Sequence, residues 1–421
     1  MKKLNYFISA LALAGFVACS SNDEIASVEG IQQKAQTTQA IGFSPLSKGA
    51  TRTALINKTS DITSFKVRGT WNSGAASAAG SNELWVNGAK VDGTQTYTGV
   101  YGSFGEGVEI VNNNGWNYKN ATETQYWPFT QNKSGETVTG YSCLPLDFNA
   151  VTPANAAVTL SSPTLTGYTV PAVANMIDIC YAQAEGKTNA DAPIQLQFNH
   201  AFCQIVVKAK KADGYDVEIK EVTIGGVNSK GDLNLNSLSA PTTNASTGGS
   251  TGTQWASLST PTAYTGYASA TAYSVPSSAA SESPIQMTPS GQELLLLPQS
   301  ITAWDHSSSP TDNDKGGYIK IVYRAKKSTD TWSGDTFTTT YFPLATKWLA
   351  GKIYAYTLLF GGVTDPDKPT TSDPDNPDPG TGEEENSGGY DEDGTPKAPS
   401  VPITFTANVT GWQSEAVDVS F

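Results

Sequence analysis

The chain has 421 residues and a formal net charge of −13. Eleven acidic residues against two lysines between positions 364 and 400 place −9 of that charge in one segment, and nowhere else do Lys and Arg cluster into the basic footprint that nucleic acid requires. Charged residues at 15%, aromatics at 10%, 39 glycines and no sustained helical periodicity argue against a helical protein and for an all-β chain of many strands joined by turns.

Residues 1–18 read as a secretory leader. Lys2 and Lys3 form a basic head, an apolar run from Tyr6 to Val17 follows, and small residues lead to Cys19. The run is too short to span a bilayer as a helix. Its end, Phe16-Val17-Ala18-Cys19, resembles a bacterial lipobox, with Phe16 where Leu is commoner. That resemblance implies lipidation of Cys19 and retention at the outer membrane, since each buried acyl methylene contributes roughly 0.8 kcal/mol. Residues 19–39 are a polar tether, and its start, Ser20-Ser21-Asn22-Asp23-Glu24, resembles the surface-export tethers of Bacteroidetes lipoproteins.

A first β-sandwich domain is expected over 40–193. It opens on the alternating strand Ile41-Gly42-Phe43-Ser44, then a loop with Lys48 and Arg52. The segments SFKVRGTW, ELWVNGAKV, TYTGVYGSF, GVEIVN, NGWNYKN, QYWPF and TVTGYSCLPL follow at the spacing of a sandwich. A second domain is expected over 194–363, opening with IQLQFNHAFCQIVVKAK, in which Ile194, Leu196, Phe198, His200 and Phe202 share one face. EVTIGGVNSKGDLNL, a polar Ser/Thr/Ala/Gly stretch from about 239 to 283, ELLLLPQSI, GYIKIVYRA and WLAGKIYAYTLLF complete it. Residues 364–400 form an acidic Pro/Gly spacer, whose Asp–Pro rhythm reads as solvated linker rather than a cation site. The closing segment 401–421 begins with a strand in which Ile403, Phe405, Ala407 and Val409 face one way and Thr404, Thr406, Asn408 and Thr410 the other. A lone strand cannot bury such a face unaided. Its opening repeats the apolar and small-polar alternation of residues 41–44, so the two strands are candidates for one groove.

These segments together resemble the fimbrillin family of Bacteroidetes, the type V pilins and Mfa-like surface lipoproteins. The strongest pieces are WNYKNATETQYWP, LQFNHAFCQIVVKAK, VTIGGVNSKGDLNL, ELLLLPQSIT and KWLAGKIYAYTLLF, in that order. The resemblance implies two transthyretin-like β-sandwich domains in tandem and a structural subunit of adhesive fimbriae. It also implies an assembly route in which an arginine-specific protease cuts a loop after the first strand, that strand leaves, and another subunit's C-terminal strand fills the groove. Carried onto this chain, the leaving strand contains Ile41 and Phe43, and the donor contains Ile403, Phe405, Ala407 and Val409. The cut falls at Arg52, because Arg68 and Arg324 lie inside strand-like segments; Lys48 is a rival. The partners implied are other pilin subunits, the outer-membrane lipid through Cys19, the maturation protease, and a host or microbial surface ligand. The long spacer leaves an alternative open: a subunit that fills its own groove and stays on the surface as a monomer or an anchor, binding glycan or host protein through its loops.

Catalysis, cofactors and metals find no support in the residues. HExxH, a nucleophile elbow and a phosphate loop are all missing from the sequence. His200 reads as a hydrogen-bonded core residue and His306 as a solvated loop residue. Apart from Cys19 there are Cys143, Cys180 and Cys203, an odd number without a CxxC pair, expected as free thiols. Tyr264, Tyr267 and Tyr273, in the polar stretch, are candidates for an exposed adhesive loop.

Overall fold

The computed structural model describes residues 39–47, 61–71, 83–84, 107–127, 129–143, 145–155, 160, 163–236, 255–277, 282–289, 292–306, 309–310, 313–363, 365–366, 389–397 and 401–412. The expected leader, Cys19, Lys48, Arg52 and the strands expected over 85–91 and 96–104 lie outside them.

Nearly all the regular secondary structure among the described residues is strand. The first eleven strands are β1 (Phe43–Ser47), β2 (Ser64–Trp71), β3 (Glu83–Leu84), β4 (Val108–Asn112), β5 (Trp116–Tyr118), β6 (Phe129–Ser134), β7 (Thr137–Cys143), β8 (Leu146–Thr152), β9 (Thr164–Thr169), β10 (Cys180–Lys187) and β11 (Ile194–His200). Then come β12 (Cys203–Lys211), β13 (Tyr215–Asn234), β14 (Trp255–Ser274), β15 (Ile285–Gln286), β16 (Leu294–Leu296), β17 (Ser300–Ile301), β18 (Tyr318–Lys327), β19 (Thr338–Pro343), β20 (Thr346–Lys347), β21 (Lys352–Phe360) and β22 (Ile403–Gly411).

An eight-stranded sheet runs β1-β11-β10-β8-β2-β4-β5, with β3 on β2. Two five-stranded sheets run β15-β12-β21-β22, with β16 on β12, and β14-β13-β18-β19, with β9 on β13. The period of two in a strand determines what each face does. In β8 and β10, Phe148, Ala150, Cys180, Ala182 and Ala184 point into one apolar core, while Val151 and Tyr181 point into the other. The first core takes Ile41, Phe43, Phe65, Val67, Ile194, Leu196 and Phe198. The second lies between the two five-stranded sheets, where Tyr323 of β18 meets Phe360 of β21 at 5.8 Å and Phe342 of β19 meets Phe405 of β22 at 5.9 Å. That is a β-sandwich by construction.

IQLQFNHAFCQIVVKAK is divided between sheets. β11 belongs to the first, parallel to β1 and antiparallel to β10, while β12 lies parallel to β21 in the second. The change of sheet falls at Ala201 and Phe202, so Phe202 packs in the second core, apart from Ile194, Leu196 and Phe198. The tyrosine-bearing stretch is a correction to the sequence reading. Residues 255–274 are β14, paired along β13 through several register shifts, not an exposed loop. Tyr264 is buried and donates its hydroxyl to the carbonyl of Val170 at 3.3 Å. Tyr267 and Tyr273 are half-buried against the core, ring to ring at 6.1 Å. Backbone pairing with a strong β13 overrides the weak strand propensity of Ser, Ala and Gly.

The acidic segment is anchored at both ends. Asp365 accepts the Thr406 hydroxyl at 2.7 Å, which is why Thr406 is buried although it alternates with the core-facing residues. Tyr390 is buried, exchanges two 2.9 Å backbone hydrogen bonds with Tyr341, and joins Trp304, Tyr318 and Tyr341 in a small aromatic cluster. His306, exposed in its loop, stacks on Tyr390 at 4.3 Å. Gly394 lies at φ +81°, and a Cβ there would stand 1.7 Å from the carbonyl oxygen of His306, so only glycine fits this turn.

Candidate functional site

The first candidate is the seat of β1. β1 ends its sheet and pairs with β11, in the register Phe43 to Ile194 through Ser47 to Phe198, while residues 39–41, just before it, pair with the segment around Tyr126. There Ile41 donates to Gln125 at 2.9 Å and Trp127 donates to Gln39 at 3.0 Å. The Tyr118 hydroxyl adds a 3.0 Å bond to the Ile41 carbonyl, and burial pushes that phenol well above its usual range. Ile41 is 1% exposed and Phe43 6%. The Phe43 ring meets Phe148, Phe65 and Tyr118 edge-on at 5.4, 6.2 and 6.4 Å, the arrangement that aromatic quadrupoles favour.

The second candidate is the seat of β22. It lies antiparallel to β21 with every residue from Ile403 to Gly411 in register, and it ends its sheet, so its ladder is one-sided among the described strands. Ile403, Phe405, Ala407 and Val409 are all buried in the second core, as is Trp412 just beyond the strand. Within this chain, therefore, the two similar strands occupy different places: β1 in the first sheet and β22 in the second.

Trp412 was not among the residues singled out from sequence. Its N–H donates to Gly351 at 2.8 Å, and its ring lies flat on His200 with centroids 3.7 Å apart and planes at 10°. His200 is buried as expected, beside Asp178 and Cys180. Nothing in the spacing of Asp178, Cys180 and His200 announces that cluster; it depends on the pairing of β10 with β11. Among the described residues Cys143, Cys180 and Cys203 are all free thiols. Arg68 and Arg324 lie within β2 and β18 as expected. Arg324 pairs with Glu218 at 2.8 Å and lies over the Trp332 ring at 4.4 Å.

A sequence model of the family described as fimbrillin-like matches residues 71–373, and the chain belongs to that family. No curated protein matches it in sequence. Among solved structures, it is similar to a fimbrial protein from Bacteroides vulgatus, with 13% identity and a TM-score of 0.45 over 89% of this chain and 100% of that one. It is also similar to a fimbrial assembly protein from Parabacteroides distasonis, with 11% identity and a TM-score of 0.32 over 76% and 91%. Likeness at that level adds nothing to the family match. Membership supports a fimbrial or adhesive role at the cell surface, interaction with other pilin subunits, and a structural rather than an enzymatic protein. No helix among the described residues is long and apolar enough to cross a membrane.

Proposed function

We propose that the chain is a subunit of adhesive fimbriae, made as a precursor lipidated at Cys19, cut by an arginine-specific protease at Arg52, and polymerised by donation of its C-terminal strand to another subunit. The observation that carries this reading is the match between two buried faces: Ile41, Phe43 and Pro45 in and before β1, and Ile403, Phe405 and Ala407 in β22. A strand with the second face can replace one with the first in the same groove without changing the sign of any buried position.

Before cutting, both seats are filled within one chain. Loss of the segment before the cut vacates the β1 groove, whose ladder to β11 is one-sided, as is that of β22 on β21. Side-chain burial is similar in either place, at roughly 1.5–3 kcal/mol for each large residue. Ladder hydrogen bonds, on the order of 0.5–1.5 kcal/mol each, form in both seats, so cutting acts by removing the intramolecular competitor of an incoming strand.

The test is limited digestion of residues 20–421 with an arginine-specific protease, with N-terminal sequencing and a gel run without boiling. The expected result is a cut after Arg52 and a ladder of heat-sensitive multimers that disappears in an Ile403→Asp, Phe405→Asp variant. A clean cut at Arg52 that leaves monomer alone sinks the proposal.

A second reading is favoured by the intrachain seat of β22 and by the anchorage of Asp365 and Tyr390: a subunit that keeps its own strand and serves as a monomeric or anchoring surface lipoprotein for a glycan or protein ligand. Retention on a glycan or host-protein column by the uncut chain distinguishes it.

A further inference from the structure

Three metal-ligating side chains of different chemistry meet where the first sheet abuts the end of β22. Asp178 lies two residues before Cys180, the first residue of β10, and the antiparallel register sets Cys180 opposite His200 at the end of β11. All three are buried, at 1, 2 and 5% exposure. Nδ1 of His200 lies 3.1 Å from each carboxylate oxygen of Asp178 and 3.4 Å from Sγ of Cys180. Sγ lies 3.8 Å from Oδ1 of Asp178.

Hydrogen bonding is one account of this convergence. An Nδ1–H can be shared between the two carboxylate oxygens of Asp178 while the Cys180 thiol donates to Oδ1. The arrangement is not a nucleophilic triad, because a relay through imidazole needs the nucleophile on one ring nitrogen and the carboxylate on the other. Here both contact Nδ1, and the buried Nε2 has no hydrogen-bond partner among the described residues.

The same three atoms are also close enough to share a cation. With Zn–S of about 2.3 Å, Zn–N of about 2.0–2.1 Å and Zn–O of about 2.0–2.2 Å, a tetrahedral site has donor-to-donor edges of roughly 3.3–3.6 Å. The three edges here, 3.1, 3.4 and 3.8 Å, bracket that range, so shifts of a few tenths of an ångström bring all three donors to one centre. The charges agree as well: a thiolate and a carboxylate neutralise a divalent ion, which removes the cost of burying either alone.

We propose that Asp178, Cys180 and His200 bind a divalent transition-metal cation of zinc-like preference through one carboxylate oxygen, Sγ and Nδ1, with a small exogenous ligand such as water in the fourth position. Since Trp412 lies flat on His200, the cation fixes the imidazole that supports the end of β22, and so ties the first sheet to the C-terminal strand. This holds whether or not β22 is ever donated.

Cobalt is the probe. Residues 20–421, stripped with a chelator, are titrated with Co²⁺ and then with Zn²⁺. The expected result is one equivalent of Co²⁺ with a thiolate-to-cobalt charge-transfer band and tetrahedral visible bands, both displaced by Zn²⁺. Cys143→Ser retains the band; Cys180→Ser and His200→Gln each weaken binding at least a hundredfold. In a melt, Zn²⁺ raises the unfolding temperature of the wild type. The proposal is overturned if the wild-type chain, which needs no substitution to be tested, shows no thiolate band. It is equally overturned if the band survives Cys180→Ser and is lost in Cys143→Ser.

Discussion

Replacing Phe405 with Ala tests whether β22 is an integral wall of the second core. Phe405 is 4% exposed, stands opposite Leu358 in the ladder, and meets Phe342 of the facing sheet edge-on at 5.9 Å. Emptying such a site costs about 3–5 kcal/mol in general, of which the aromatic pair accounts for about 0.5–1.5 kcal/mol. Because β22 ends its sheet, its surroundings can collapse partly into the space, and the lower end, about 3 kcal/mol, is expected. That is roughly a hundredfold in the unfolding equilibrium. Urea unfolding of residues 20–421, followed by circular dichroism, should show the loss as a lowered midpoint with an unchanged slope. Thr410→Ala, at an exposed position of the same strand, should stay within about 0.5 kcal/mol of the wild type. Equal effects of the two substitutions would refute the placement of Phe405 in the core. A fall in slope confined to Phe405→Ala would instead show that the strand opens separately from the rest.

Phe43→Ala empties a site bounded by Phe148, Phe65 and Tyr118, and a loss of about 3–5 kcal/mol in urea unfolding is expected, whereas Thr63→Ala, at an exposed position, should be near neutral. Tyr390→Ala removes the aromatic anchor of the acidic segment, so trace protease should cut within 367–400 at least tenfold faster than in the wild type, while global unfolding changes little. Burial pushes the Cys143 thiol up and the fully buried Cys203 thiol far up, so a thiol reagent at neutral pH should label the partly exposed Cys143 slowly in the native chain and Cys203 only on unfolding. Glu221 is driven up by burial, but bonds from Lys320 and from the Thr223 hydroxyl outweigh this and leave it lowered. Its contribution to stability is therefore complete above the ordinary carboxyl range and is lost as pH falls through the lowered folded value; the stability gap between wild type and Glu221→Gln should close on acidification.

What the sequence made legible was local. SFKVRGTW is β2 from its first residue to its last, and the core-facing set of β22 follows from simple alternation, because a period of two needs no knowledge of partners. What it hid was tertiary. The run from Ile194 to Lys210 keeps one strand-like character while crossing from one sheet to another, since apolar side chains look alike whichever core receives them. Residues 255–274 looked like an insertion because Ser, Ala and Gly carry little strand signal of their own; β13 supplies the ladder that holds them. Thr406 broke its expected alternation only because Asp365, from the spacer, folds back onto it. Asp178 and Cys180 lie about twenty residues from His200, and only the register of β10 against β11 makes them neighbours.

The anchorage at Tyr390 changes what the acidic segment can do for a donated strand. As a free spacer of 37 residues it would have a root-mean-square span of roughly 30–35 Å and would present β22 to any groove within that reach. With Tyr390 paired to Tyr341 and packed among Trp304 and Tyr318, only the few residues between Lys397 and Ile403 lie between a fixed point and the strand. The effective concentration of β22 at its own seat is then set by that short arm, and it rises as the arm shortens. The proposed donation would therefore have either to reach a groove close to β21 or to release Tyr390 first. These alternatives make opposite demands on one substitution. If the acceptor groove lies within the short arm, Tyr390→Ala slows multimer formation after cutting, because it dilutes the strand. If release is the limiting event, the same substitution accelerates it. A time course of the unboiled ladder for wild type and Tyr390→Ala, cut under the same conditions, separates the two, and equal rates would show that the anchorage has no part in the exchange.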